Sequence, residues 1–353
     1  MTSEPLEDDA DDGSEPSPAG RHGQSIDGAE LIPEPTAGMV LHRVLAMSAR
    51  AFLLNDRVDE FEGGSRGTGT VDALSLSLGT RPLWAQSTVE SLSGTERCDD
   101  PTERIHQTRV AMRQIRSNLR TFRLLLDPAW GTSLRAELAW YGDELGRSRD
   151  LDLLAVVVSE RGPEVLDADE VARLLAVVDW RRGEVADRIA AEQASSRRVR
   201  LTEQMKVLWD GPQFKAKAAR PAAEVLAPML HRSWRDVRGA GRTARKDPTA
   251  VHLHQLRIRL KDLRYGSETL ALVEGGPAAK TAKAAKNLQN KLGDLHDTVV
   301  SIDWLEHLAG EQPDLADAAE RLAAVQRDVA ADTRKGWKRG LKDVERRWRR
   351  WQG

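Results

Sequence analysis

Two segments of the sequence carry a histidine followed by three cationic residues at matching intervals. Within each segment the four positions lie three, four and three residues apart, and the second set follows the first by 148 residues. The first set is His106, Arg109, Arg113 and Arg116, and the second is His254, Arg257, Lys261 and Arg264. Intervals of three and four place side chains on one face of an α-helix. Guanidinium groups in such a row can bind phosphate oxygens in pairs, so these residues indicate anion binding.

We call these two cationic faces stripe one and stripe two. Stripe one continues through Arg120 and Arg123, and no acidic residue lies between Glu103 and Asp127. Like charges one turn apart repel by about 0.2–0.5 kcal/mol per pair. The row therefore needs compensation, either by a bound anion or by carboxylates on neighbouring helices. A solvated charged face is the alternative for either stripe alone, but the repetition favours a shared task. For the two histidines, a structural role in helix packing explains their positions as well as direct contact with an anion does.

A second echo follows each stripe after about 40 residues. The strings LGRSRDLDLL at 145–154 and LGDLHDTVVSIDWL at 292–305 align at an offset of 147 residues. Arg149 of the first string corresponds to His296 of the second. Self-similarity at so long a period predicts two related structural units, which we expect to stack about a pseudo-twofold axis.

The elements that must position the stripes are predicted to be helices. Leu, Ala, Arg and Glu dominate from residue 104 onward, and apolar residues recur at helical rather than alternating intervals. Helices are predicted at 39–57, 104–126, 132–147, 150–160, 168–194, 198–209, 222–245, 250–273, 278–293, 295–309 and 314–349. Proline supplies several of the breaks, because it lacks the N–H that a continuing helix requires. No segment alternates like a strand, so we predict an all-α fold.

Charge is distributed unevenly along the chain. The 353 residues sum to a net charge of −2, but residues 1–36 carry −9 and the remainder carries +7. The acidic leader is rich in proline and is predicted to be disordered, and a Gly/Ser/Thr-rich stretch at 62–103 is predicted to be a long loop. A basic body favours a polyanionic partner, because charge of one sign concentrates the opposite ion. The leader could compete for a basic cavity, or it could serve only as a solubilising tail.

The same sequence disfavours several classes of protein and site. Cys98 is the only cysteine, which rules out a disulfide framework and a cysteine-based metal cluster. No run approaches the roughly 18 apolar residues of a membrane helix, and the leader lacks an apolar signal segment. We therefore expect a soluble, cytoplasmic protein without a membrane partner. G-x-S-x-G, P-loop and H-E-x-x-H motifs are missing. We expect a binding protein with no catalytic residue, metal or cofactor, rather than an enzyme.

At the stripes and their echoes the sequence resembles the CHAD family, whose name refers to conserved histidines on an α-helical domain. The resemblance rests on H-x-x-R-x-x-x-R-x-x-R at 106–116, LGRSRDLD at 145–152, HQLRIRLKDLRY at 254–265 and LQNKLGDLHD at 288–297. It implies one domain over about 37–350, built as two pseudo-symmetric four-helix bundles around a basic cavity, with repeats at about 37–210 and 211–350. It also implies binding of inorganic polyphosphate, and association with polyphosphate granules or polyphosphate-metabolising proteins.

The resemblance implies a set of polyphosphate-binding residues. Ten positions match the family's motifs: His106, Arg109, Arg113, Arg116, Arg120, Arg149, His254, Arg257, Lys261 and Arg264. Secondary candidates for the same cavity, with a solvated face as the alternative, are Arg232, Arg235, Arg238, Lys283 and Lys286. We expect Asp150 and Asp152 to orient Arg149. His296 stands where the family more often has Asn.

Two other functions stay open on the sequence. Nucleic acid would be attracted by the same stripes, although base-stacking surfaces usually interleave aromatic residues with cations, and only Tyr265 adjoins stripe two. The C-terminal run WKRGLKDVERRWRRW does mix Trp337, Trp348 and Trp351 with cations. That run is either a capping helix with a basic exterior or a surface-attachment element. The remaining function is a granule-surface adaptor that binds protein partners.

Overall fold

Ten α-helices and four short 3-10 helices make up the described part of the computed structural model, which covers residues 34–56, 98 and 100–352. The α-helices are α1 (Ala37–Asn55), α2 (Pro101–Thr121), α3 (Pro128–Arg161), α4 (Ala168–Gln193), α5 (Ser196–Asp210), α6 (Ala222–Lys246), α7 (Ala250–Glu274), α8 (Gly276–Glu311), α9 (Ala316–Thr333) and α10 (Trp337–Gln352). Across these ranges the β-type pairing consists of two isolated bridges, and no strand forms. The all-α prediction is confirmed.

The predicted acidic tail and the predicted loop lie mostly in residues 1–33 and 57–97, outside the described residues. At their inner edges the structure differs from the prediction. The carbonyl of Pro35 accepts a hydrogen bond from Ala222 N–H at 2.9 Å, and Thr36 caps α1. At the other edge, α2 already begins at Pro101, because the Asp100 side chain caps it and Pro suits a first helical turn. The irregular segments predicted from composition, the tail at 1–36 and the loop at 62–103, therefore extend too far at residues 35–36 and 101–103, which are ordered.

The observed helices differ most from the sequence prediction at three places. The helices α3 and α8 each run unbroken through a place where two helices are predicted, around residues 148 and 294. Neither place contains proline, so nothing in the backbone stops the helix. The single helix predicted over 314–349 is instead divided into α9 and α10 by Gly336, whose φ is 82°. That left-handed conformation favours glycine and ends a helix.

The helices fall into two sets of five that match the internal repeat. In the first set α2 and α3 carry stripe one and its echo, and in the second set α7 and α8 carry stripe two and its echo. Within the sets, α2 packs against α1 and α3, and α7 packs against α6 and α8. The sets meet through equivalent helices, α2 against α7 and α3 against α8. The two stripe-bearing helices are thus neighbours.

The orientation of each stripe is fixed by the apolar core behind it. Ile115 on α2 and Phe122 directly after its last residue are fully buried, as are Leu256 and Leu263 on α7. Burying one such side chain contributes about 1.5–3 kcal/mol. Rotating either helix to turn its stripe away would expose several of these side chains to water.

Helix α1 is, within the described ranges, the one helix long and apolar enough to cross a membrane, with a mean hydropathy of 1.3 over its most apolar stretch. Of that stretch, 61% is buried inside the protein, where α1 packs against α2 and α5. The sequence prediction considers only consecutive apolar residues, and α1 contains no such run of the required length. By mean hydropathy, however, α1 is apolar enough to cross a membrane. Packing into the core accounts for the apolar composition of α1.

Candidate anion-binding site

Buried polar contacts join α2 to α7 and bring the two stripes together. Asp262 on α7 accepts hydrogen bonds from Ser117 Oγ at 2.7 Å and from Arg120 Nη1 at 3.0 Å. Farther along the same pair of helices, Thr269 Oγ1 donates to Asn118 Oδ1 at 3.0 Å. Hydrogen bonds to a charged group are among the stronger ones in proteins, so these contacts fix the register in which the stripes meet.

Six cations on three helices form what we call the central cluster. Its members are Arg109, Arg113 and Arg116 on α2, Arg149 on α3, and Arg257 and Lys261 on α7. All six side chains are half-buried. No ion pair to a carboxylate is formed by any of them within the part of the chain that the structure describes. The cluster therefore holds positive charge that the surrounding protein does not pair.

Lys261 shows most directly that the stripes converge. Burial lowers the pKa of its ammonium group to about 7, and the nearby charges of Arg257 and of three α2 arginines act in the same direction. The three arginines come from the other half of the chain. Near neutral pH the Lys261 ammonium is therefore about half protonated, and any anion placed beside it would favour the charged form.

Two glycines at equivalent positions let the first cation of each stripe lie across the neighbouring helix. Arg109 donates a hydrogen bond to the carbonyl of Gly142 at 2.8 Å, and a methyl group at Gly146 would lie only 2.8 Å from its Nη1. In the second half, a methyl group at Gly293 would lie 3.5 Å from Arg257 Nε. Burial, followed by the charge of Arg113, lowers the pKa of Arg109 to about 10. The LG pair that begins both echoes is thus explained by packing against arginine.

Two aspartates also occupy equivalent positions beside the cluster. Burial raises the pKa of Asp150 on α3, and the positive charge of Arg109 opposes that rise. Burial likewise raises the pKa of Asp297 on α8, and there Arg257 gives the opposing effect. Neither carboxylate forms an ion pair with another described residue. They moderate the field of the cluster without cancelling it.

The expectation that Asp152 orients Arg149 is wrong. The Asp152 carboxylate instead accepts a hydrogen bond from Arg182 Nη2 at 2.9 Å, and this contact ties α3 to α4. Residues 150 and 152 point to different sides of a helix, because two residues correspond to about 200° of rotation. Only Asp150 faces the cluster.

Three histidines beside the central cluster, His106, His254 and His296, have pKa values below the ordinary value of 6.5. Burial and the charges of Arg257 and other neighbours lower the pKa of His296 to about 4. The pKa values of His106 and His254 are also lowered, first by burial and then by nearby cations. The rings of His254 and His296 pack with their centroids 4.3 Å apart, and His254 Nδ1 is buried without a hydrogen-bond partner. The histidines therefore add little positive charge to the central cluster near neutral pH.

Two cations of the stripes that lie outside the central cluster, Arg120 and Arg264, are engaged by the protein itself. Arg120 is paired with Asp262. Arg264 is paired with Glu268 at 2.8 Å, and its guanidinium carbon lies 4.8 Å from the centre of the Tyr265 ring. These two arginines border the cluster but have less unpaired charge to offer a ligand.

The secondary candidates lie elsewhere on the surface. Arg232, Arg235 and Arg238 are exposed on α6, and the last two line a groove between α6 and α10. Lys283 and Lys286 are exposed on α8. These five residues therefore lie outside the central cluster. Their helical spacing in the sequence could not show this, because it gives only the face of their own helix.

The structure adds residues that the sequence reasoning missed. Arg135, near the start of α3, is half-buried, and its pKa is lowered by burial and by the charge of Arg120. It extends the cationic surface beyond Arg116. No repeat marks Arg135, so only the packing of α3 on α2 reveals it. Asp297 was detectable, because it aligns with Asp150 in the two echoes.

A metal site does not emerge from the described residues, which contain no group of three or more His, Cys, Asp or Glu side chains placed to hold an ion. The residues that converge at the cluster are instead almost all cationic. Their chemistry suits a ligand that is itself negatively charged.

Comparison with known proteins gives a consistent result. A family model described as the CHAD domain matches residues 85–306. The fold is similar to the crystal structure of the CHAD domain from the plant Ricinus communis, at 21% sequence identity and a TM-score of 0.60, over 88% of this chain and 92% of that one. It is also similar to PptA from Streptomyces chartreusis, at 21% identity and a TM-score of 0.55, over 89% of this chain and 99% of that one. No match was found among curated proteins.

Proposed function

Because the chain belongs to the CHAD domain family, we propose that it binds inorganic polyphosphate through the central cluster. The family is associated with polyphosphate binding in general. The observation that supports this site is the convergence of six half-buried cations from both halves of the fold, without a carboxylate partner among the described residues. A bound chain of phosphates would supply the missing negative charge.

A linear polyphosphate fits the shape of this charge distribution. From Arg109 to Arg120, stripe one advances by eleven residue positions, or about 16 Å of helix at about 1.5 Å per residue. Each guanidinium can hold two oxygens, from one phosphate or from two neighbours. A long chain would engage several cations at once, so its affinity would exceed that of a single phosphate through multivalency.

Binding without hydrolysis is part of the proposal. CHAD domains are helical binding domains rather than a known enzyme fold. We extend this to the present chain, which would hold polyphosphate in the cytoplasm and at polyphosphate granules, and would bring polyphosphate-metabolising proteins close to the polymer. Purified protein incubated with polyphosphate should release no free phosphate. Release that disappears in the Asp150→Asn variant would contradict this part of the proposal.

A titration with charge-reversal variants tests the site. Labelled long-chain polyphosphate is titrated with the wild-type protein and with the double variant Arg109→Glu/Arg257→Glu, at two salt concentrations. Each contact between a charged donor and an anion contributes about 1.5–3 kcal/mol, so we expect affinity to fall by at least a hundredfold. Affinity of the wild type should also fall as salt rises, because a polyanion releases bound counterions on binding.

A matched control separates the site from net charge. The double variant Arg173→Glu/Arg188→Glu makes the same charge change at two exposed positions on α4. We expect it to bind polyphosphate within a few-fold of wild type. Equal losses in the two double variants would mean that polyphosphate senses only the overall charge, and the central cluster would not be the site.

A further inference from the structure

Outside the central cluster, the two helices α6 and α10 carry a large excess of positive charge. Helix α6 carries six basic and two acidic residues, and α10 carries seven basic and two acidic residues. Their combined excess of +9 is larger than the +7 of the whole chain after residue 36. The charge asymmetry that indicates a polyanion partner therefore resides mainly on these two helices.

A groove with an aromatic floor runs between α6 and α10. The helices meet through long side chains: Trp234 of α6 stacks on Trp348 of α10, with ring centroids 5.1 Å apart and planes inclined by 17°. His231 meets the same Trp348 ring edge-on at 5.2 Å. Pro228 completes the apolar floor, and the groove has a volume of about 840 Å³.

Three exposed arginines form the rim of the groove. Arg235 and Arg238 lie on the α6 side and Arg349 lies on the α10 side. None of the three is paired with a carboxylate of a described residue, and no acidic residue lines the groove. Two nearby arginines of α10 and α6, Arg346 and Arg245, do form ion pairs. The three arginines of the rim therefore keep their charge available to a ligand.

We propose that the groove between α6 and α10 binds single-stranded nucleic acid, with phosphates on Arg235, Arg238 and Arg349. One base would lie against Pro228 and the His231 ring, which are both exposed, above the stacked indoles, which are only 7% and 4% exposed. A single strand presents a charge at every nucleotide and an unstacked base beside it, which matches a cationic rim and an apolar floor. A duplex keeps its bases stacked inside, and polyphosphate has no apolar group to cover the floor. This proposal is independent of polyphosphate binding at the central cluster.

Fluorescence anisotropy of a labelled oligothymidylate of twelve nucleotides tests the proposal on the full chain. Wild type should bind it at low salt. The double variant Arg235→Glu/Arg238→Glu should weaken binding at least tenfold and reduce the slope of log affinity against log salt by about 1.4, since each phosphate contact on a single strand contributes about 0.7. Both positions are exposed, so the fold should persist, and a thermal melt checks this. The Arg173→Glu/Arg188→Glu variant, with the same charge change, should bind almost as wild type does.

Three competitors distinguish the bases from the charge. An abasic oligomer of equal length carries the same phosphates, and we expect it to bind at least about fivefold more weakly than oligothymidylate, as one stacked base requires. Equal binding of the abasic oligomer, or equal competition by polyphosphate, would overturn the proposal in favour of a general phosphate-chain surface. Equal competition by polyglutamate would overturn it in favour of an acidic protein partner. Oligothymidylate binding that depends on Arg109 and Arg257 instead would place the strand in the central cluster.

Discussion

Lys261 illustrates the stability cost of gathering cations in the central cluster. Its pKa of about 7 lies well below the ordinary 10.5, so the folded protein disfavours the proton that the unfolded chain accepts. The resulting loss of stability is absent above about pH 10.5, grows as the pH falls, and is complete below about pH 7. Bound polyphosphate would reverse this effect by favouring the charged ammonium.

The first prediction concerns replacement of Lys261 by a neutral side chain of similar length. Lys261→Met should raise the free energy of unfolding at pH 7 by roughly 1–2 kcal/mol, since one pKa unit corresponds to about 1.4 kcal/mol and solvent at this half-buried site screens part of the shift. The same change should weaken polyphosphate binding about tenfold. Urea denaturation and titration measure the two effects. A variant that is both less stable and fully active in binding would contradict this account of the cluster.

The second prediction is that binding takes up a proton. Polyphosphate should raise the pKa of Lys261 above 7, so protons are absorbed between pH 7 and the raised value, and affinity falls as the pH rises through that window. Below about pH 7 the ammonium is largely protonated with or without ligand and adds little pH dependence. Calorimetry at pH 8 in two buffers of different ionisation enthalpy measures the uptake. Lys261→Arg is the control, because arginine stays charged throughout, and an unchanged uptake in it would exclude Lys261 as the source.

The third prediction uses the glycines that accommodate the arginines. Gly146→Ala improves helix propensity by about 1 kcal/mol, but its methyl group would lie 2.8 Å from Arg109 Nη1 and force the guanidinium to move. We expect polyphosphate affinity to drop several-fold with little loss of stability. Gly183→Ala on α4 is the control, because no atom lies within 4 Å of a methyl group there. Equal affinities of the two variants would show that the position of Arg109 is unimportant.

At the scale of helices, the division between α9 and α10 depends on one residue. Gly336 has a φ of 82°, which an alanine adopts only with strain. The fourth prediction is therefore that Gly336→Ala lowers the free energy of unfolding by about 1–2 kcal/mol, measured by chemical denaturation. Gly310→Ala near the end of α8, where φ is not left-handed and a methyl group would meet no atom within 4 Å, should have a much smaller effect. Similar losses at both positions would contradict a backbone cause.

Helix boundaries show where sequence reasoning reached its limit. The apolar faces of α2 and α7 were predictable because burial follows the helical period, and the internal repeat identified the equivalent helices. The length of α3 and α8 was not predictable, because glycine inside a helix resembles a helix end in sequence. Gly146 and Gly293 are in fact helical positions that make room for arginine. Conversely, Gly336 ends a helix within a strongly helical composition.

At the scale of the whole molecule, the repeat predicts two related halves but not how their surfaces divide the cations. Arg113 and Lys261 come together because α2 packs on α7 through Asp262. Arg235 has the same helical context in the sequence, yet it faces α10 across a groove. The surroundings of each arginine depend on how helices that are distant in sequence pack together. The spacing of residues within one helix does not contain that information. The net charge of the body predicts a polyanionic partner, but it does not reveal that most of the excess lies on α6 and α10.

The most direct test of the central claim is a crystal structure of the protein grown with a short polyphosphate of a few phosphates. We expect electron density for a phosphate chain between α2 and α7, with oxygens contacting Arg113, Arg257 and Lys261. Arg109 should keep its contact with the Gly142 carbonyl or exchange it for phosphate. A phosphate chain bound only in the groove between α6 and α10, with the central cluster free of density, would contradict the account.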